Sequence, residues 1–261
     1  MTTAANTPSV SDWCLPANPA RLANDETHVW RASLDQPPSQ IEGFRRTLAS
    51  DEKARAERFY FQLDRERFIV GRGILRAILG WYLNSAPERL SFLCNSYGKP
   101  SLAGQSGRDA ICFNVSHSHG SALYAFTRGR EIGVDLEQIR DEVEVDLIAR
   151  QFFSSREIAA LGGLAPDQRK YGFFNCWTRK EAYIKASGEG LSLPLDQFDV
   201  SLVPGEPAAL LATRPDPHEA MRWSLQELTP ASGFAAAVAV AGRIGSLSCY
   251  QFQWPGLNRN P

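Results

Sequence analysis

Over residues 27–34 apolar and polar side chains alternate, which predicts a β-strand. From 41 to 48, and again from Ser50 onward, the spacing becomes helical, with Ser50 placed to cap the second helix. In the run EKARAERFYFQLDRERFIVGRGILRAILGWYL, Phe68, Ile69, Ile74, Leu75, Ile78 and Leu79 recur as on a helix buried along one side, with arginines on the other. Short strand-like runs between 90 and 125 are broken by NSYGKP and AGQSGRD, whose Gly, Pro and Asn form turns. After Thr127 the outline repeats: a strand over 131–137, a helical region with the aromatic pair Phe152-Phe153, a long helix, then strands to Phe252. Phe59-Tyr60 echoes that aromatic pair, so two similar α+β units are expected, over 27–128 and 129–254, joined near 127–130. Residues 1–26 and 255–261 carry no periodicity and are expected to be flexible.

With 261 residues, 43% of them hydrophobic, the chain can bury a sizeable core. A formal net charge of −1 and a pI near 6.4 give no overall attraction to nucleic acid or to an anionic membrane, so any basic site is local. Five cysteines without a C-x-x-C pair fit reduced thiols better than a disulfide framework or a zinc site. The longest apolar stretch, 234–241, is too short to span a bilayer, and the N-terminus has no basic segment followed by an apolar run. A cytoplasmic protein is expected.

In EIGVDLE the alternation is strict: Ile132, Val134 and Leu136 point to one face, Gly133, Asp135 and Glu137 to the other. Two neighbouring carboxylates repel each other unless water screens them or a cation joins them, so this strand face is either wet or a metal site. A later helix, capped by Asp167 and stopped at Gly188, carries WTRKEAYIK, which stacks Trp177, Glu181 and Lys185 on one stripe. That stripe reads either as a surface salt bridge beside a core aromatic or as an acid and a cation facing phosphate. Taken together, three carboxylates offer hard oxygen ligands suited to magnesium, and the lysine is placed to neutralise phosphate charge. This is equipment for phosphoryl transfer.

The strand CFNVSHSHG ends in Ser116-His117-Ser118-His119. Its H-x-H pair has no third ligand at a zinc spacing, and a phosphate contact through Ser116 and His117 suits the strand end better.

These pieces, FNVSHS, GVDLE and WTRKEAYIKASGEGLSLPL in this order with YGKPSL upstream, resemble the 4′-phosphopantetheinyl transferases of the larger, surfactin-synthetase-activating type, over roughly 50–203. The resemblance implies an α+β pseudo-dimer of two similar halves, the 4′-phosphopantetheinyl transferase fold, with coenzyme A in the cleft between them. It implies a monomer that moves the phosphopantetheine arm of coenzyme A onto a serine of an apo acyl, peptidyl or aryl carrier protein. Adenosine 3′,5′-bisphosphate is released.

By the same resemblance Asp135, Glu137 and Glu181 hold magnesium, or manganese in its place, and Glu181 also acts as base. Lys185 holds the diphosphate and stabilises the leaving group; magnesium and Lys185 together keep the Glu181 pKa low. His117, helped by Ser116, contacts the 3′-phosphate of coenzyme A, and Arg55 stands at a basic position for that phosphate, with Lys53 as an accessory cation. Lys99 in YGKP lies near the adenine. Glu157 matches an acid assisting the base, or else is a helix-start acid; Trp177 packs beside the acids. The residues after Phe152-Phe153 supply the carrier-docking surface. Two other readings of the acid set are a different magnesium-dependent enzyme, against which stands the lack of a P-loop, and a non-catalytic binding module.

Overall fold

In the computed structural model residues 13–16, 21–188, 190 and 193–254 are described. The first half runs β1 (Glu26–Ser33), α1 (Pro38–Thr47), α2 (Ser50–Ala56), α3 (Gln62–Leu83), β2 (Phe92–Cys94), β3 (Pro100–Leu102), β4 (Ile111–Ser118) and β5 (Ser121–Arg128). The second repeats the order: β6 (Ile132–Gln138), α4 (Val145–Phe152), α5 (Ser155–Gly162), α6 (Pro166–Ser187), β7 (Phe198–Val200), β8 (Leu210–Thr213), β9 (Trp223–Leu228) and β10 (Phe234–Ala241). Each half folds the same way. In the first, β5 lies between β1 and β4; in the second, β10 lies between β6 and β9, and all these neighbours are antiparallel. The α+β pseudo-dimer expected from the resemblance is therefore present.

The repeat has a different basis from the aromatic echo read in the sequence. Phe153 ends α4, whereas Phe59-Tyr60 follows α2, so these pairs are not equivalent. Leu48, which ends α1 and is buried as Phe153 is, holds the matching place. The run from 52 to 83 in which helical spacing was read forms two helices, α2 and α3, broken at 57–61.

A final strand, β11 (Ser246–Gln251), crosses back and pairs in parallel with β1, so the end of the chain completes the first half's sheet. Trp13 is buried, donates Nε1–H to the Thr229 carbonyl, and Leu22 joins the core, so this part of the segment expected to be flexible is packed. Residues 1–12, 17–20 and 255–261 lie outside the described residues.

Three apolar clusters hold the molecule together. One lies between the first sheet and α1 and α3, a second between the second sheet and α4 to α6. The third joins the halves: Val29, Leu123 and Ala125 from one sheet meet Ile132, Val134, Leu136 and Val238 from the other. The apolar face of β6 thus points into the junction, and its other face is left to α6. No helix among the described residues is long and apolar enough to cross a membrane. All five cysteines are unbridged.

Candidate active site

The site begins with how closely α6 approaches β6. Gly133 has no Cβ; one added there would run into the Ala182 carbonyl and the Ala186 amide of α6, so glycine lets the two backbones touch. Pro166 stands in the first turn of α6, Ala165 rather than Asp167 is its cap, and Gly188 ends it in the left-handed region at φ 78°. Asp167 supplies first-turn acidity instead.

Between Gly172 and Ala186 every side chain of α6 is buried except Trp177, Glu181 and Lys185. The stripe read from the sequence is therefore the one open line on an otherwise enclosed helix. Trp177 packs between Phe152 and Phe173, with ring centroids 5.8 and 6.1 Å away. Its role is packing, and the two residues that follow it on the stripe, Glu181 and Lys185, are charged and half-buried.

Asp135 is buried, not wet. Its Oδ1 accepts from the Lys185 ammonium at 2.5 Å and from the Ser116 hydroxyl at 3.0 Å, while Oδ2 is buried without a hydrogen-bond partner among the described residues. Burial, and after it the Asp135 charge, push the Glu181 carboxyl above the ordinary carboxylate range, with Lys185 pulling the other way. Glu137 is raised by the same two causes, opposed by the Ser118 hydrogen bond and by Lys185. The low Glu181 pKa expected from the resemblance includes the magnesium charge; in the metal-free chain burial and Asp135 outweigh the lysine.

The two sheets meet edge to edge at this point through side chains. Asn114 Oδ1, Ser116 Oγ and Ser118 Oγ, alternate residues of β4, accept in turn from the backbone N–H groups of Val134, Leu136 and Gln138 on β6. The two hydroxyls then donate onward, Ser116 to Asp135 Oδ1 and Ser118 to Glu137 Oε2 at 3.2 Å. Each serine therefore fixes one acid. The Ser116 hydroxyl also accepts from Lys185 at 3.1 Å, so this buried group is bonded to β6 and to the acid cluster. Sequence reading missed Asn114 and Ser118, although their period-two spacing with Ser116 was visible.

Next to Ser116, His117 is exposed along part of its ring, and burial followed by the Lys185 charge lowers its pKa. Lys99 reaches across from the first half: its ammonium donates to Glu131 Oε2 and to the Ala186 carbonyl, both at 3.0 Å, near the end of α6. Asn95 does the same through its amide to the Gly188 carbonyl. Together with Tyr97, Cys112 and Ser187 these residues line a cleft of about 360 Å³ between the halves. Arg55 and Lys53 are exposed on α2, and the Arg55 guanidinium lies 5.3 Å from the Phe68 ring centre. Glu157 is in the capping box of α5, buried, with Lys180 as its ion-pair partner at 2.8 Å.

Among the described residues no three His, Cys, Asp or Glu side chains converge closely enough to enclose a metal ion. The chemistry of the set nevertheless fits one. Asp135 Oδ2 is a buried acceptor without a donor, and three carboxylates share a half-enclosed space in which two are forced toward the neutral form.

Residues 131–239 match the family model described as 4′-phosphopantetheinyl transferase superfamily, and residues 30–126 match that of the 4′-phosphopantetheinyl transferase N-terminal region. The chain is 46% identical to the 4′-phosphopantetheinyl transferase HetI of Nostoc sp. (strain PCC 7120) over 221 residues, covering 85% of this chain and 90% of that protein. It is 30% identical to the 4′-phosphopantetheinyl transferase Sfp of Bacillus subtilis (strain 168) over 215 residues, covering 82% and 92%. A putative 4′-phosphopantetheinyl transferase of Synechocystis sp. is 34% identical over 77% of this chain and 78% of that protein.

Proposed function

The chain belongs to the 4′-phosphopantetheinyl transferase superfamily, and we propose that it works through Glu181, Lys185 and the β6 acids at the junction of its two halves. It transfers the 4′-phosphopantetheine arm of coenzyme A to a serine of an apo carrier protein, giving holo carrier protein and adenosine 3′,5′-bisphosphate. The observation that carries the site assignment is the open stripe of α6, which turns Glu181 and Lys185 toward Asp135.

In this reading Asp135, Glu137 and Glu181 hold magnesium, or manganese in its place, whose charge would be shared with the diphosphate of coenzyme A. Glu181 takes the proton of the carrier serine as that hydroxyl attacks the phosphorus bearing the pantetheine arm. Lys185 uses two of its three N–H groups on Asp135 and Ser116, which leaves the third for an oxygen of the leaving diphosphate. Lys99 and the residues around it receive the adenine end in the cleft between the halves, while His117 and Arg55 take the 3′-phosphate. His117 stands there as the hydrogen-bonding group for that phosphate, and in the ligand-free chain burial and then the Lys185 charge lower its pKa. Because one chain supplies both walls of the cleft, a cytoplasmic monomer is sufficient for the reaction.

Incubating the protein with coenzyme A, magnesium and purified apo carriers from fatty-acid, polyketide and nonribosomal-peptide systems tests this. The expected result is the mass of the arm on the serine of at least one carrier, lost when the metal is chelated. Transfer that is unaffected by chelation would remove the metal from the proposal.

A further inference from the structure

Both halves contain the same buried device. In the second, Glu157 Oε2 accepts from the backbone N–H of Ser154 at 2.9 Å and from Lys180 at 2.8 Å, and Oε1 accepts from the Val200 amide at 2.8 Å. The remaining two N–H groups of Lys180 go to the carbonyls of Leu195 and Phe198, both at 2.7 Å. In the first, Glu52 Oε2 accepts from the Ala49 N–H at 2.9 Å and from Arg76 at 2.6 Å, and Oε1 accepts from Arg72 at 2.5 Å. Arg76 then donates to the carbonyls of Pro87 and Leu90. Each glutamate sits in the first turn of the middle helix, and each cation on the long helix grips the segment that leads to the small hairpin. All four side chains are buried.

The first half carries no acid where the second has its chemistry. Five residues beyond Arg76 stands Trp81, and five beyond Lys180 stands Lys185; the residue after Arg76 is Ala77, and the one after Lys180 is Glu181. On the strands, Trp30 and Asp135 each stand three residues before the end of β1 and β6. The first half thus keeps the buried pair and sets Trp30 against Trp81, with ring centroids 5.1 Å apart, in place of an acid and a lysine. A device that occurs where no acid and cation meet is not itself a chemical group.

We propose that Glu157 and Lys180 are positioning residues for Glu181 and Lys185, and that Glu157 takes no part in proton transfer. Neighbouring residues on a helix are about 100° apart. Tying Lys180 to α5 and to the chain entering β7 therefore fixes the rotation of α6 that turns Glu181 and Lys185 to β6. The inference rests on the reading of Glu181 as base.

The test is a set of variants assayed for transfer, thermal stability and the pH dependence of kcat. Lys180→Arg, which copies the cation of the first half, keeps a charge opposite Glu157 and therefore retains more kcat than Lys180→Met, which leaves that buried carboxylate without its cation. Glu157→Gln leaves a buried ammonium unpaired and lets α6 shift, lowering kcat by about 10²-fold and raising KM for coenzyme A. Glu157→Gln combined with Lys180→Met removes both charges and recovers at least about tenfold of that loss, with the wild-type pH profile. A folded double variant no more active than Glu157→Gln alone, or one whose pH profile has lost its acidic limb, overturns the proposal and gives Glu157 a chemical role. Glu181→Gln is run beside them: transfer at the wild-type rate there overturns the assignment of Glu181, and with it the purpose of the pair, whatever the other variants do.

Discussion

The Lys185 ammonium lies 2.5 Å from Asp135 Oδ1, at the two places of the second half where the first half sets Trp81 against Trp30. The duplicated scaffold brings the same strand and helix together twice, and the contact decides what each half is for. The indoles pack, with the Trp30 Nε1–H spent on the Tyr82 hydroxyl; an ammonium on a buried carboxylate leaves one oxygen unpartnered and one N–H available.

Lys185→Met should lower kcat by about 10²–10³, the cost typical of losing a donor aimed at developing charge. It also leaves Asp135 with only the Ser116 hydroxyl, so thermal stability should change along with activity. Steady-state transfer assays with a melting curve measure both; a variant of unchanged kcat would take Lys185 out of the mechanism.

Glu181→Gln should abolish transfer and leave coenzyme A binding measurable by calorimetry, because the amide keeps the shape of the side chain and loses its basicity. Loss of binding together with activity would make Glu181 a binding group instead.

The raised carboxyls Glu137 and Glu181 make a pH prediction. Their pKa values lie above the ordinary range in the folded chain, so the folded state holds these protons more tightly than the unfolded one. Their effect on metal-free stability is therefore unfavourable at neutral pH and is relieved as pH falls through the raised values toward the ordinary carboxylate range. Magnesium should raise the melting temperature more at pH about 7 than at pH about 5, where protons compete for the same oxygens. An equal rise at both would separate the cation from these acids.

Ser118→Ala removes the hydroxyl that holds Glu137 and accepts from Gln138. Manganese affinity, read from its electron spin resonance signal, should weaken by about tenfold, as for other partners of metal-binding side chains. Ser118→Thr should restore it. Asn114→Ala, in the same row but bonded only to the Val134 amide, should cost about 1–3 kcal/mol of stability and leave that affinity alone.

Gly133→Ala should be more harmful than its size suggests. The new methyl group meets backbone of α6 on two sides, and backbone cannot swing away as a side chain does. Both the melting temperature and kcat should fall, since the shift separates Lys185 and Glu181 from Asp135.

Much of this was legible in one chain. The period-two pattern of 132–137 assigned Ile132, Val134 and Leu136 to one face and the acids to the other, because a strand leaves no other choice. The i, i+4, i+8 stripe of Trp177, Glu181 and Lys185 followed from helical geometry alone, as did the stop at Gly188. The motifs carried the family.

What covers each face was a matter for the tertiary structure. Only packing shows that the polar face of β6 lies against α6, so that Asp135 is buried and paired with Lys185 while burial and Asp135 raise Glu181 in the metal-free chain. Only packing joins Ser116 and Ser118 to acids on another strand, or pairs Glu157 with Lys180 as Glu52 pairs with Arg76. Local pattern sets which way a side chain points relative to its own backbone, and it contains nothing about the partner that arrives from a distant part of the chain. In this protein that partner determines which acids are strained, which are spent on structure, and which half can react.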